Sequence, residues 1–445
     1  MAGFVRDASW DQLEEATREA LRLRVLDSLG CAIAALDSQV LHAVRAEIDE
    51  MGGRPLCTLI GGGRTSPDRA ALHNSAAVRY LDFNDSFMAP GETCHPSDNL
   101  GAVLAAVEFA GGDGRDLMVA LAVAYQVQCR LSEVAPVRAR GFDHVTQGAY
   151  AAAAGAARGL SLDTAATANA ISMAGTGLNA LRVTRTGALS NWKGLAYPNT
   201  AFGAVHAAFL ARAGITGPAE VFEGNKGFMD AIAGRFAIDW SGEDLSAVTR
   251  TSVKRFNAEF HSQAVLEAVL ELRAEAALDP ALVERVDLDV FQVAFDIIGG
   301  GEEGDKRAVR TKEEADHSLP YLAAVALLDG DVLPAQYAPE RILRQDVQSL
   351  LRRVVVRPDP VLSASFPERH ACRVRIVVRD GRQLTREKTD YRGFVTRPAR
   401  WDDVEEKFRR LVEPVAGRRR ADRLVAAVRD LEHVGVAALL EETRL

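Results

Sequence analysis

Four stretches of this chain set proton-carrying or cationic side chains into otherwise apolar surroundings, and each holds a histidine, a lysine or both. The first runs Tyr80-Leu81-Asp82-Phe83-Asn84-Asp85-Ser86 and resumes as Thr93-Cys94-His95-Pro96-Ser97-Asp98-Asn99. An imidazole titrates near neutral pH and suits general acid–base work, and a nearby carboxylate can orient it or carry a proton itself. His95 precedes a proline, which holds it extended, and Ser97, Asp98 or Asn99 could cap the helix expected next. A donor-rich loop before a helix also makes a cradle for a carboxylate. The plain alternative is that Asp82, Asp85 and Asp98 are ordinary capping or turn residues.

The second stretch, Gly141-Phe142-Asp143-His144-Val145-Thr146, again places a histidine just before an Ala-rich helix. Taken singly, such a histidine is more often a satisfied hydrogen-bonder. The third, Arg182-Val183-Thr184-Arg185-Thr186-Gly187 with Asn191-Trp192-Lys193-Gly194, is dense in cations and amides. Clustered cations favour a substrate with several negative charges, although a solvated loop would look the same. The fourth, Val253-Lys254-Arg255-Phe256-Asn257-Ala258-Glu259-Phe260-His261-Ser262-Gln263, lies where the texture of the chain changes. Sites favour such boundaries, and the competing reading is an exposed hinge. His317, in Ala315-Asp316-His317-Ser318, is a further candidate. His42, His73, His206, His370 and His433 lie in helical or surface-like contexts and receive no role.

Arginine is the default cation: of 53 basic residues only seven are lysine, at 193, 226, 254, 306, 312, 388 and 407. A lysine kept against that bias in an uncharged segment points to a need for a compact ammonium, and Lys193 fits best. Other chemistries lack their motifs: there is no GxSxG elbow, GxxxxGK[ST] loop or HExxH pair. Gly61-Gly62-Gly63-Arg64-Thr65 reads as a turn. The five cysteines are scattered and odd in number, suiting free thiols better than disulfides, an iron–sulfur cluster or a structural zinc. No metal and no cofactor is expected.

These residues must be held by elements legible from periodicity. Helices are expected over 15–36, 70–81, 99–110, 117–134, 146–159 and 162–174, with the Ala-rich run 148–157 as a buried central helix. Residues 202–213 repeat that character, so the first half reads as all-helical. Strand-like segments enter after about residue 255, at 283–291, 353–357 and 372–379, with Asp380-Gly381 marking a hairpin. Helices at 312–328 and 339–351 make this region α+β, and helical periodicity returns over 404–412, 420–431 and 436–440. The 445 residues exceed the ~250–300 at which one core stops growing. The expectation is a mainly α protein: a large all-helical domain, 1–253 with 397–445, and an inserted α+β lid domain, 254–396.

A net charge of −8 without any basic block argues against nucleic acid as a partner. No basic-then-apolar leader opens the chain, and no stretch offers ~20 apolar residues for a membrane span, so a cytoplasmic protein without membrane association is expected.

The four segments, in this order, resemble the MmgE/PrpD family, closest to its 2-methylcitrate dehydratase branch. Leu81-Asp82-Phe83-Asn84-Asp85-Ser86 with His95-Pro96-Ser97-Asp98-Asn99-Leu100-Gly101 is similar to LDFNDT…HPSDNLG; Asp143-His144-Val145 resembles GLDHV. Glu259-Phe260-His261-Ser262-Gln263 matches EFHSQ, and Asp316-His317 a DH before a helix. The resemblance spans nearly the whole chain. It implies a helical domain with an α+β lid, a homodimer, no redox cofactor, and dehydration, decarboxylation or isomerisation of small di- and tricarboxylates. By position, functional residues would fall on Asp82, Ser86, His95, His144, Lys193, Lys254 and His261. Ser86 replaces a threonine but keeps the hydroxyl, and Asn257 stands where the family usually has proline.

The function expected is therefore a cofactor-independent lyase that removes water from 2-methylcitrate or a similar tricarboxylate, as in propionate catabolism. Asp82, His95, His144, Lys193 and His261 are the catalytic candidates, and Ser86, Lys254, Arg182, Arg185 and His317 the substrate-binding ones. His95 and His144 would share proton transfer. The alternatives are a decarboxylase or epimerase/isomerase of a related acid such as cis-aconitate or iminodisuccinate, or a non-catalytic polycarboxylate binder.

Overall fold

The computed structural model describes residues 1–445, which form two compact units. The first comprises Met1–Arg185, Gly194–Thr251 and Arg400–Leu445; the second comprises Thr186–Lys193 and Ser252–Ala399.

The core of the first unit is built on Val145–Gly159, whose Ala-rich sequence is buried almost throughout, as expected of a central helix. Small side chains allow the close approach: a Cβ on Gly155 would lie 2.8 Å from Val103 and 3.0 Å from Ala124, residues of Leu100–Ala110 and Gly114–Val134. Asp113 caps the latter by accepting from the N–H groups of Arg115 and Asp116. Glu15–Ala35 and Pro67–Tyr80 are also largely buried, and the C-terminal Trp401–Ala416 lays Phe408 against Gly30. Glu15–Ala35 and Val145–Gly159 fall within one or two residues of the spans that periodicity predicts.

The all-helical expectation for this unit is corrected by two short antiparallel ladders. The first pairs β1 (Cys57–Thr58) with β2 (Arg64–Thr65), closed by Gly61-Gly62-Gly63, all at positive φ. The second pairs β3 (Phe87–Ala89) with β4 (Glu92–Cys94). Strands of two or three residues carry too few alternations to register as a period of two.

The second unit carries a four-stranded sheet in the order β6-β5-β7-β8, with β5 Val283–Val290, β6 Val354–Pro358, β7 Cys372–Val378 and β8 Gln383–Lys388. β5 and β6 are parallel, the other pairs antiparallel, and β7 alternates buried with half-buried positions along its length. The Asp380-Gly381 hairpin forms as expected, with Gly381 at φ 91°. The helix expected over 312–328 is broken instead into Lys312–Ala315 and Leu319–Asp329. Pro320 has no N–H to give the carbonyl of Asp316, and Ser318 caps the second piece. Asp316 closes the first piece, its N–H donating to the Lys312 carbonyl. No helix is long and apolar enough to cross a membrane.

Candidate active-site residues

In the first unit the β3–β4 hairpin brings the two halves of the first segment together. Its register opposes Phe87 to Cys94, so the residues just outside it, Ser86 and His95, face each other, with Ser86 Oγ 3.1 Å from His95 Nδ1. The same nitrogen lies 2.8 Å from the carbonyl oxygen of Asp85, which can only accept, so Nδ1 carries a proton.

The capping-or-turn reading holds for Asp82, which takes the left-handed turn position just past Pro67–Tyr80 with its N–H on the Arg79 carbonyl, and fails for Asp85 and Asp98. Asp85 Oδ1 accepts from the backbone N–H and the hydroxyl of Ser97, and Oδ2 from the Tyr125 hydroxyl at 2.8 Å. Asn84 donates to Ser97 Oγ and to Asp98 Oδ1, while Asn99 donates to Gln128 and accepts from Tyr197. Gly148 permits that last contact, since a Cβ there would meet the Tyr197 ring at 2.4 Å. No side-chain cap forms at Leu100–Ala110. Asp82 adopts a left-handed backbone, φ 56°, and its carboxylate accepts from buried Arg79 at 2.8 Å. Arg79 Nε also stands 3.5 Å from Asp98. Burial raises the Asp98 carboxyl to about 7, against the pull of Arg79 and Asn84.

The second and third segments meet through an isolated bridge between Phe142 and Leu181. Asp143 N–H donates to the Ala180 carbonyl and Arg182 N–H to that of Gly141. This sets the Arg185 guanidinium 2.6 Å, and that of Arg182 3.8 Å, from Asp143 Oδ2. Asp143 Oδ1 lies 2.9 Å from His144 Nδ1. Asp143 is held well below the usual carboxylate range by Arg185, His144 and Arg182, which outweigh its burial. Burial, then the Arg185 and Arg79 charges, lower His144 to about 4 against the pull of Asp143. His144 is therefore neutral at pH 7, with its proton on Nδ1. Its Nε2 is buried without a hydrogen-bond partner. The His95 and His144 rings meet edge to face with centroids 5.3 Å apart.

The second unit gathers the remaining candidates. Lys193 donates to Asp316 Oδ1 at 2.8 Å, Lys312 reaches Asp316 Oδ2 at 2.7 Å, and His317 Nδ1 lies 2.7 Å from Oδ1. Lys193, Lys312 and His317 together hold Asp316 far below its ordinary range despite burial. The backbone N–H of Glu259 donates to the Asp316 carbonyl, joining the fourth segment to this group. Glu259 accepts from the backbone N–H of His261 and pairs with its Nδ1 at 2.6 Å, and the carboxyl is lowered to about 2 by His261, His317 and Lys254 against burial. His261 Nε2 has no partner. Lys254 is fully buried, so this segment is not an exposed hinge. Of the seven lysines only Lys226 is exposed.

Two acid–histidine pairs thus repeat one device, Asp143-His144 and Glu259-x-His261, each tying Nδ1 to the preceding acid; at Asp316-His317 the Lys193 ammonium, which can only donate, lies 2.9 Å from the same Nδ1 that approaches Asp316. A carboxylate on Nδ1 fixes the tautomer and leaves Nε2 to face a reactant. Sequence reading found the histidines and passed over Asp143, Glu259 and Asp316, although an acid one or two positions before each histidine was the available signal. It also misplaced His370, which is buried in an aromatic cluster, its ring stacked on His261 at 5.9 Å and its two nitrogens unpartnered. Within either unit, no three His, Cys, Asp or Glu donors converge at metal-ligand spacing.

Residues 1–241 match the MmgE/PrpD N-terminal domain and residues 256–433 the MmgE/PrpD C-terminal domain, and the chain belongs to this family. Among its relatives, cis-aconitate decarboxylase of Mus musculus is 26% identical over 100% of this chain and 92% of its own length. The 2-methylcitrate dehydratase of Salmonella typhi is 28% identical over 78% of this chain and 75% of its own. A mitochondrial 2-methylcitrate dehydratase of Yarrowia lipolytica is 25% identical over 88% of this chain. The relatives are enzymes, dehydratases and decarboxylases, at modest identity.

Proposed function

We propose that the chain is a cofactor-independent lyase that eliminates water from 2-methylcitrate or a similar small tricarboxylate, working in the cytoplasm as a homodimer. The observation that carries this reading is the Asp143–His144 pair, with a neutral ring, an unpartnered Nε2 and the His95 ring beside it. His144 Nε2 takes the proton from the carbon next to a carboxylate, and the electron pair forms the C=C bond as the C–O bond breaks. His95, protonated on Nε2, gives that proton to the departing hydroxyl, which leaves as water. The Nδ1–H bond of His95 to the Asp85 carbonyl persists in both protonation states, so the ring need not turn during the cycle. Asp82, locked by Arg79, is the further candidate acid of the first unit. Lys193, Lys254 and His261 are assigned to holding substrate carboxylates, Ser86 and His317 to supporting contacts.

A decarboxylase is the second reading, favoured by the end-to-end match to the mouse enzyme. It would break a C–C bond, release carbon dioxide and protonate the resulting carbanion, using the same two imidazoles. Incubation with 2-methylcitrate, citrate, cis-aconitate and iminodisuccinate, followed by NMR, separates the readings. A dehydrated product with no carbon dioxide is expected. Loss of carbon dioxide, or epimerisation alone, would replace this reading, and thermal stabilisation without turnover would mark a binder.

A further inference from the structure

Asp82 holds a left-handed backbone that a non-glycine residue seldom adopts, and such a conformation persists only where its surroundings fix it. One side of the fixing is local: Asp82 N–H donates to the Arg79 carbonyl, and Arg79 holds the Asp82 carboxylate. The other side comes from far along the chain. Lys407, on Trp401–Ala416, donates its ammonium to the carbonyl oxygen of Phe83 at 2.7 Å and sits 3.8 Å over the Phe83 ring. The same ammonium pairs with Asp27 of Glu15–Ala35 at 2.6 Å, and both groups are buried.

We propose that Lys407 is a positioning residue for Asp82, clamping the residue that follows it through the Phe83 carbonyl and ring. A buried ion pair is a poor source of net stability, because desolvation of both charges offsets their attraction. What this pair supplies is a fixed point: Asp27 anchors the ammonium, and the ammonium fixes the residue next to a strained one. A point charge with three donors can serve a carboxylate, a carbonyl and a ring face at once, which a planar guanidinium in the same space cannot. This accounts for a lysine here in a chain that otherwise uses arginine.

The role in turnover rests on the function proposed above, so the test needs one readout that does not. K407M keeps the length of the stem but strands the Asp27 charge; the double variant D27N/K407M removes that charge as well. The double variant is expected to recover most of the thermal stability lost by K407M. Its kcat should stay lower by about 10²-fold with little change in KM, as for a misplaced catalytic group. Hydrogen–deuterium exchange of the amides at 81–88 should be faster than in the wild type, with exchange elsewhere unchanged. Wild-type exchange at 81–88 in the double variant would overturn the proposal, as would faster exchange with wild-type kcat. If the wild-type protein turns over none of the four acids, the functional reading fails, and Lys407 is judged on exchange alone.

Discussion

His95 and His144 stand edge to face in the first unit, planes at 77°, and their Nδ1 atoms are tied to different acceptors. His95 is held by a backbone carbonyl, that of Asp85, and His144 by the carboxylate of Asp143. A carboxylate partner stabilises an imidazolium that forms during reaction, whereas a carbonyl only orients the ring. That asymmetry is the reason for giving proton abstraction to His144 and proton donation to His95.

If both rings transfer protons, H144Q and H95Q each lower kcat/KM by about 10²–10⁴-fold on whichever acid the wild type consumes. The amide keeps most of the volume and one polar end, so melting temperatures should move little. Near wild-type turnover in either variant would remove that histidine from the chemistry.

Asp143 should matter almost as much without touching substrate. In D143N the amide can turn its NH₂ toward Nδ1, which favours the tautomer protonated on Nε2 and abolishes the base. A fall of about 10³-fold in kcat is expected with KM nearly constant, within the range for losing a general base. The ¹⁵N chemical shifts of the His144 ring would report the change of tautomer directly, and an unchanged tautomer would contradict the assignment.

The polar segments were legible in the sequence because Asp82, His95, His144, Lys193 and His261 interrupt apolar runs, and the long helices because their periods repeat many times. What joins the segments was not legible. The β3–β4 ladder is three residues long on each side, and the Phe142–Leu181 bridge is a single residue pair. His370 read as lying in a helical or surface-like context, yet long-range packing puts its ring against Phe260, Phe291 and Tyr391. Asp98 looked like a capping residue and instead accepts from Asn84, a contact created by the hairpin.

Arg185 adds to burial in lowering the pH above which His144 can act as a base. The base works unprotonated, so kcat/KM should rise with pH through the His144 value, which burial, Arg185 and Arg79 bring to about 4. Removing the Arg185 cation removes one of the groups that disfavour the imidazolium. The acid limb of the R185Q profile should therefore shift to higher pH. A limb that stays in place or moves lower would show that Arg185 does not act through this ring.

Asp98 should leave its mark on stability. Its carboxyl titrates at about 7 in the folded protein, against an ordinary value of 3.8, chiefly because it is fully buried. A folded-state value above the unfolded one means that the native protein binds the proton more tightly. Wild-type stability therefore carries a contribution that is complete below the ordinary value and is lost as pH rises through about 7. Asparagine mimics the protonated acid: its oxygen can still accept from Asn84, and it cannot ionise. The D98N protein should match the wild type in melting temperature near pH 4 and exceed it increasingly as pH rises from 5 to 8. Parallel melting curves for the two proteins across that range would mean that Asp98 is already ionised in the native state, its charge carried by Arg79.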